Sequence, residues 1–325
     1  MKNIKRITAI VLAAALMVCA SFSLASCGDD GKYTIGILQL VTHDALDAAT
    51  EGFKKAVIDE LGEENVEFIT QNANNDTNLC STIATDFVSK NVDLIMANAT
   101  PALQAAASAT LDIPVLGTSV TEYGVALGIK DFDGLVGGNI SGTSDLAPLD
   151  EQAQMILDLF PNAEKIGILY CSAEANSKYQ VEEITRLLIS KDVPAENIKA
   201  YAFTDSNDIS AVTTIASAAS DVIYVPTDNT VADNTSIIDN ICRKDKTPII
   251  AGEAGICSGC GVATLSISYY DLGYATGKMA AKILKGEAKI DRMRIEYAAT
   301  STKKYNAEIC EALGIPAPEG YVPLG

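Results

Sequence analysis

Short apolar runs alternate with amphipathic stretches along the chain from about residue 33 onward. YTIGILQL (33–40) has too few polar positions to leave either face in water and predicts a strand buried on both sides. Behind it, Leu46, Ala49, Phe53 and Val57 recur at helical spacing and predict a helix over 44–61. The alternation continues through a strand at VEFITQ (66–71), a helix carrying Leu79, Ile83 and Phe87, and a strand at VDLIMANA (92–99). A short helix from Pro101, a strand at IPVLGTS (113–119) and a further strand through 126–129 complete the series. This order predicts a doubly wound α/β domain, because parallel strands need crossovers long enough to hold a helix.

The second half repeats the plan. KIGILYCS (165–172) answers YTIGILQL, a helix over 177–190 carries Val181, Ile184, Leu187 and Leu188, and IKAYAF (198–203) supplies another strand. SDVIYVPTDNT (220–230) answers VDLIMANATPA (92–102), and TPIIAGE (247–253) answers IPVLGTS. The offset between matched positions is about 130 residues, too long for a solenoid and right for two similar α/β lobes. A strand over 262–267 and a last helix over 271–285, with Leu272, Ala275, Met279 and Ile283, follow when the second lobe is nearly complete. The chain is therefore expected to cross back, giving a first lobe of 32–143 plus 266–290 and a second of 144–265 plus 291–325. Gly273 and Gly277 allow that helix to pack closely. Tyr269 and Tyr270 at its start read either as core or as ligand contacts.

In open parallel sheets, ligands bind beyond the carboxyl ends of the strands, where loops gather and helix N-termini present free N–H groups. Thr100 followed by Pro101 has the form of a helix start whose amides face such a crevice. Polar residues stand at the other strand ends too: Gln39 and His43, Ser119 and Thr121, Ser172, Glu174, Asn176 and Ser177, Asp228 and Asn229, and Glu253. GTSD (142–145), taken as the start of a second-lobe helix, adds Ser144 and Asp145. Each alone reads equally well as a helix cap. Their convergence on corresponding ends of both lobes is what makes a binding cleft the expectation.

No nucleophile elbow, zinc-protease helix, P-loop or dinucleotide fingerprint is present, and the single histidine, His43, cannot build a metal cluster. The reading is of a non-enzyme without cofactor or metal.

The N-terminus changes the cellular picture. Lys2, Lys5 and Arg6 precede an apolar run too short to span a membrane comfortably, and SLASCGDD follows. Leu24, Ala25, Ser26 and Cys27 resemble the lipobox of bacterial lipoproteins, which implies a signal peptide over 1–26, a lipid on Cys27 and a tether over 27–31. The chain of 325 residues has a formal charge of −18, and loss of the leader would remove three cations and no acid. So acidic a chain disfavours nucleic acid as a partner. Of eight cysteines, Cys257 and Cys260 form CSGC; the surrounding glycines predict a loop holding either a disulfide or free thiols, in a compartment that permits oxidation.

The stretches GILQLVTHDALDAATEGFK (36–54), ATPALQAAA (99–107), SGTSDLAP (141–148), EANS (174–177), VPTDNTVA (225–232) and YYDLGYATGKMAAKILKGE (269–287) resemble the substrate-binding lipoproteins of ABC importers with the type I periplasmic-binding-protein architecture. The similarity is to the group containing tryptophan- and tyrosine-type binding proteins. It implies two lobes joined by three crossovers that close on one small molecule, most simply an aromatic amino acid. It also implies a monomer, anchored by lipid outside the cytoplasm, that hands its ligand to a permease driven by an ATPase. Presentation of the ligand to a membrane sensor, or a nucleoside or sugar ligand, stays open. On this resemblance Gln39, His43, Thr100, Ser119 and Thr121 come from the first lobe, and Ser144, Asp145, Glu174, Asn176, Ser177, Asp228, Asn229 and Glu253 from the second or its border. Asp228 is the first choice to accept a ligand ammonium, with hydroxyls and amides around Thr100, Ser119, Asn176 and Ser177 for a carboxylate. AGICSGCG (254–261) departs from the family pattern beside the pocket, which leaves side-chain specificity open.

Overall fold

A computed structural model describes residues 31–324, so the leader and Cys27 lie outside the described residues. The first sheet is laid down by β1 (Tyr33–Gln39), α1 (Asp44–Leu61), β2 (Val66–Asn72), α2 (Thr77–Ser89), β3 (Leu94–Asn98), α3 (Thr100–Ala109), β4 (Val115–Val120), α4 (Tyr123–Leu127) and β5 (Ile140–Ser144). The second follows with α5 (Leu149–Leu159), β6 (Ile166–Cys171), α6 (Ala175–Ser190), β7 (Ile198–Phe203), α7 (Ile209–Ala219), β8 (Val222–Val225), α8 (Asn229–Ala232), α9 (Thr235–Asp245), β9 (Ile249–Ala251), α10 (Ala254–Cys260) and β10 (Ala263–Ser266). The chain ends with α11 (Tyr269–Leu284), β11 (Glu296–Tyr297), β12 (Thr302–Tyr305), α12 (Ala307–Leu313) and β13 (Val322–Pro323).

Strand order is β11-β5-β4-β3-β1-β2 in one sheet and β13-β12-β10-β9-β8-β6-β7 in the other. Apart from the added strands at one edge, the two orders are the same, which is the structural form of the sequence repeat. All pairings are parallel except β10 with β12. The strand order reverses at β1 in one lobe and at β6 in the other, and these switch points open crevices beyond the strand carboxyl ends. Apolar strands supply the cores: all of β3 and β8 is buried.

The chain crosses between sheets three times: after β5, between β10 and α11, and between β11 and β12. After the second crossing α11 packs on α1 in the first lobe. Gly273 lies against the Ala49 carbonyl and Gly277 against that of Phe53, so a side chain at either would collide with backbone.

Four local expectations are corrected. Residues 126–129 hold no strand; α4 occupies Tyr123–Leu127 because Glu122 accepts the Val125 N–H and Gly128, left-handed at φ 67°, ends the turn. GTSD opens no helix: Ser144 is the last residue of β5 in the first sheet, Asp145 enters the crossover, and the helix waits until Leu149. AGICSGCG is no loop. Glu253 caps α10 by accepting the Gly255 and Ile256 amides, and burial of Ile256, Cys257 and Cys260 outweighs the glycine content. Finally, β11 pairs with β5, so residues 296 and 297 belong to the first sheet, and the last crossover falls later than expected.

Candidate functional site

Twelve residues enclose a cavity between the lobes: His43, Leu46, Ser119, Thr121, Asp145, Asn176, Thr227, Asp228, Asn229, Ala232, Glu253 and Tyr269. The space left among these side chains is about 10 Å³, roughly the room for one water, so the lobes are drawn together on their polar linings. Eight of the sequence-derived candidates therefore line it: His43, Ser119, Thr121, Asp145, Asn176, Asp228, Asn229 and Glu253.

The other five stand behind the wall. Gln39 accepts the Thr50 hydroxyl at 2.7 Å and donates to the Val41 carbonyl at 2.9 Å, fixing the turn into α1. Thr100 is buried in the first turn of α3. Ser144 donates to the Thr121 carbonyl at 2.8 Å, joining the ends of β4 and β5. Ser177 donates to Asp228 Oδ2 at 2.8 Å. Glu174 accepts five hydrogen bonds: Asn176 Nδ2 at 3.0 Å, Asn229 N at 3.1 Å and Asn229 Nδ2 at 2.7 Å on Oε2, with Thr230 N at 2.9 Å and Thr230 Oγ1 at 2.8 Å on Oε1. It clamps the start of α8 to α6.

Thr227, beside Asp228 in the polar run after β8, also lines the cavity, as do Leu46 and Ala232, apolar residues whose place in the wall carries no chemical signal in the sequence. Tyr269 and Tyr270, read together, part company. Tyr269 is buried with its hydroxyl 2.9 Å from Asp145 Oδ2, whereas Tyr270 is 40% exposed and stacks on Tyr274. Glu253 and Tyr269 also wall the cavity off from a wider groove running past Ala254, Tyr270, Thr302 and Lys304.

Three buried carboxylates line the cavity, and burial works against their charge. Asp228 is pushed up to about 8, first by desolvation and then by the charge of Glu174, against the pull of the Cys171 and Val231 amides and the Ser177 hydroxyl. Desolvation also raises Asp145, opposed by the hydroxyls of Thr121 and Tyr269, and raises Glu253, opposed by His43 and the α10 amides.

Hydrogen bonding sorts these groups. Asp228 Oδ2 accepts from Cys171 N at 2.7 Å as well as Ser177, and Oδ1 accepts from Val231 N at 2.9 Å. Three polar atoms in the cavity wall are buried without any protein partner: Ser119 Oγ, Asp145 Oδ1 and Asn176 Oδ1. The Asn176 amide is oriented by its NH₂, which donates to Glu174 Oε2, to the Ser177 hydroxyl at 3.3 Å and to the Thr227 carbonyl at 3.1 Å, while its oxygen has no protein partner. Two acceptors and one hydroxyl without partners are costly unless something else bonds them.

Backbone strain collects at the same place. Ala99 has φ 92° and ψ 158°, a region where side chains are rarely found, and Ser119 is left-handed at φ 54°. They lie at the carboxyl ends of β3 and β4. The first turns of α1 and α3 have no side-chain cap, but Asp44 and Asp47 put negative charge on that of α1, and α3 does not reach the cavity.

Two lobes with matched sheets, three crossovers and a polar cavity between the strand ends define a hinged receptor for a small solute. Residues 34–322 match the family model described as ABC transporter substrate binding protein, and the chain belongs to that family, a class of solute receptors with the type I periplasmic-binding-protein fold. It is 36% identical over 298 residues to the tyrosine-binding protein of Clostridioides difficile, covering 87% of this chain and 85% of that one. The ABC domain from Streptococcus pneumoniae in complex with L-Trp superposes with a TM-score of 0.83 at 33% identity, over 89% of this chain and 96% of its own. The ligand-free, open structure of a substrate binding protein from Clostridium difficile gives 0.68 at 37% identity, over 90% and 99%. Overall shape is thus nearer the L-Trp complex than the open molecule, in keeping with the contacts of Asn75 with Thr230 and of His43 with Asn229, which span the lobes.

The CSGC cysteines are free thiols on α10. Cys257 Sγ lies 3.6 Å from the Gly261 carbonyl and Cys260 Sγ 3.4 Å from that of Ile256. No group of His, Cys, Asp or Glu suited to a metal ion occurs among the described residues.

Proposed function

We propose that this protein captures an aromatic amino acid outside the cytoplasm and delivers it to an ABC permease, held to the membrane by a lipid on Cys27. The observation that carries the ligand class is the set of buried unpartnered atoms, Asp145 Oδ1, Asn176 Oδ1 and Ser119 Oγ, in one closed cavity. An α-ammonium has three N–H donors, and Asp145 Oδ1 with the Asn176 side-chain oxygen form an acceptor side for it. For an α-carboxylate the Ser119 hydroxyl is the donor in the cavity wall that no protein group occupies. The named ligands of two relatives more than 30% identical, tyrosine and L-Trp, support the aromatic choice. Among the described residues no helix is long and apolar enough to cross a membrane, so attachment would rest on the N-terminal segment.

Thermal unfolding of the mature protein with L-tyrosine, L-tryptophan, nucleosides and sugars tests the ligand. Saturation at about 100 times Kd should add about 2.7 kcal/mol of stability for the true ligand class. Absence of a shift with every aromatic amino acid would overturn the reading. Labelled fatty acid should enter the wild-type chain and not Cys27→Ser, and disruption of the gene should lower uptake of the bound amino acid.

A further inference from the structure

Of the four buried carboxylates around the cleft, three are consumed by their own lobe. Glu174 is filled by Asn176, Asn229 and Thr230; Asp228 holds Cys171, Ser177 and Val231; Glu253 caps α10. Only Asp145 keeps an oxygen that no group bonds within hydrogen-bond geometry, although the Thr121 hydroxyl favours its charged form, and the residue is 3% exposed. Its other oxygen accepts the Tyr269 hydroxyl at 2.9 Å. Asp145 follows β5 at the first crossover and Tyr269 opens α11 after the second, so the pair ties two hinge strands together at the cavity wall.

We propose that Asp145 is the principal acceptor for the ligand's ammonium group and that Tyr269 is the positioning residue that aims it. This rests on the amino-acid reading and shifts the first grip away from Asp228. A carboxylate free to rotate would spread its lone pairs over several directions; one oxygen pinned by a phenol fixes the other, which has no protein partner, at the cavity wall. The aromatic ring is itself fixed, being 6% exposed and part of the small apolar cluster formed with Ala45, Ala49, Ile267 and Leu272. Tyr269→Phe would keep that packing and remove only the aim.

The test compares L-tyrosine with 3-(4-hydroxyphenyl)propanoate, which lacks the ammonium, by calorimetry on the full chain, wild type and Tyr269→Phe. Wild type should prefer tyrosine by at least about 100-fold, and Tyr269→Phe should shrink that preference by about 10-fold, because the two changes act on one interaction. Asp145→Asn should shrink it further, and adding Tyr269→Phe to Asp145→Asn should change little. A purely structural Tyr269 would weaken both ligands equally and leave the ratio intact, which would overturn the proposal. A ratio unchanged in Asp145→Asn would overturn it as well, while tyrosine binding by wild type would keep the amino-acid reading standing. A wild-type chain that bound no aromatic amino acid would remove both.

Discussion

Asn75 Nδ2 lies 3.1 Å from the Thr230 hydroxyl, and the two residues belong to different lobes. Thr230 in turn donates to Glu174, so a first-lobe loop is bonded to the clamp at the start of α8. His43 Nε2 and Asn229 Oδ1, 3.4 Å apart, make a second link nearby. Such bonds exist only when the lobes are together. Asn75→Ala should therefore speed ligand release and weaken affinity by about 3- to 10-fold, as one hydrogen bond is worth about 1 kcal/mol, with little change in unfolding. Stopped-flow dissociation and calorimetry would check it; an unchanged off-rate would show that the link contributes nothing to closure.

Asp228 makes closed-state stability depend on pH. The carboxyl sits near 3.8 when solvated and at about 8 in the closed cleft. Between those values the folded protein holds a proton that the unfolded chain releases, so stability is full below about 4 and is lost as pH rises through about 8. Asp145 and Glu253, both raised, act in the same direction. Ligand-free protein should melt higher at pH 6 than at pH 8, and Asp228→Asn should flatten that slope. Melting temperatures that rise from pH 6 to pH 8 would contradict the assignment.

Strain at Ala99 should be removable. With φ at 92°, glycine is the residue its backbone prefers, and the misfit of an alanine costs on the order of 1–3 kcal/mol. Ala99→Gly is expected to raise the denaturant midpoint by an amount equivalent to about 1 kcal/mol, after the entropy cost of glycine. Ligand affinity should fall slightly as the end of β3 loosens. A lower midpoint would mean that the observed conformation is not strained.

The buried thiols should be slow to react. Burial pushes Cys257 and Cys260 well above the usual thiol range, and Cys80, Cys171, Cys242 and Cys310 are raised for the same first cause. A thiol-specific disulfide reagent should label these six cysteines rapidly only after denaturation, and all six should then be free. Four in place of six would reveal a disulfide.

The strands that the sequence made most legible are those whose burial is apolar. β1, β3, β6 and β8 stand out because Ile, Leu and Val fill both faces, and matched runs in the two halves disclosed two lobes. β5 was missed because its residues, ISGTS, show no such pattern. Ser141 donates to the Met293 carbonyl at 2.9 Å, and the Thr143 hydroxyl meets that of Thr276 at 2.8 Å, partners more than 130 residues away in the chain. A buried strand satisfied by distant hydroxyls and carbonyls looks like a turn until those partners are in place. α10 was misread for a related reason: glycine disfavours a helix locally, yet Glu253 caps it and the second-lobe core holds it.

The candidate site divides in the same way. Position at a strand's carboxyl end was readable, and it brought eight of the named residues to the cavity. Whether a polar side chain faces the cavity or serves its neighbours was not readable, because Glu174 and Asp145 are equally acidic in sequence. Tertiary structure separates them, giving Glu174 five donors and leaving one oxygen of Asp145 with none. Sequence alone determined the two-lobed α/β plan, since hydrophobic period and repeat are local properties of the chain. Only the folded molecule decided which polar groups remain for a ligand, because hydrogen-bond satisfaction is set by residues that the sequence keeps far apart.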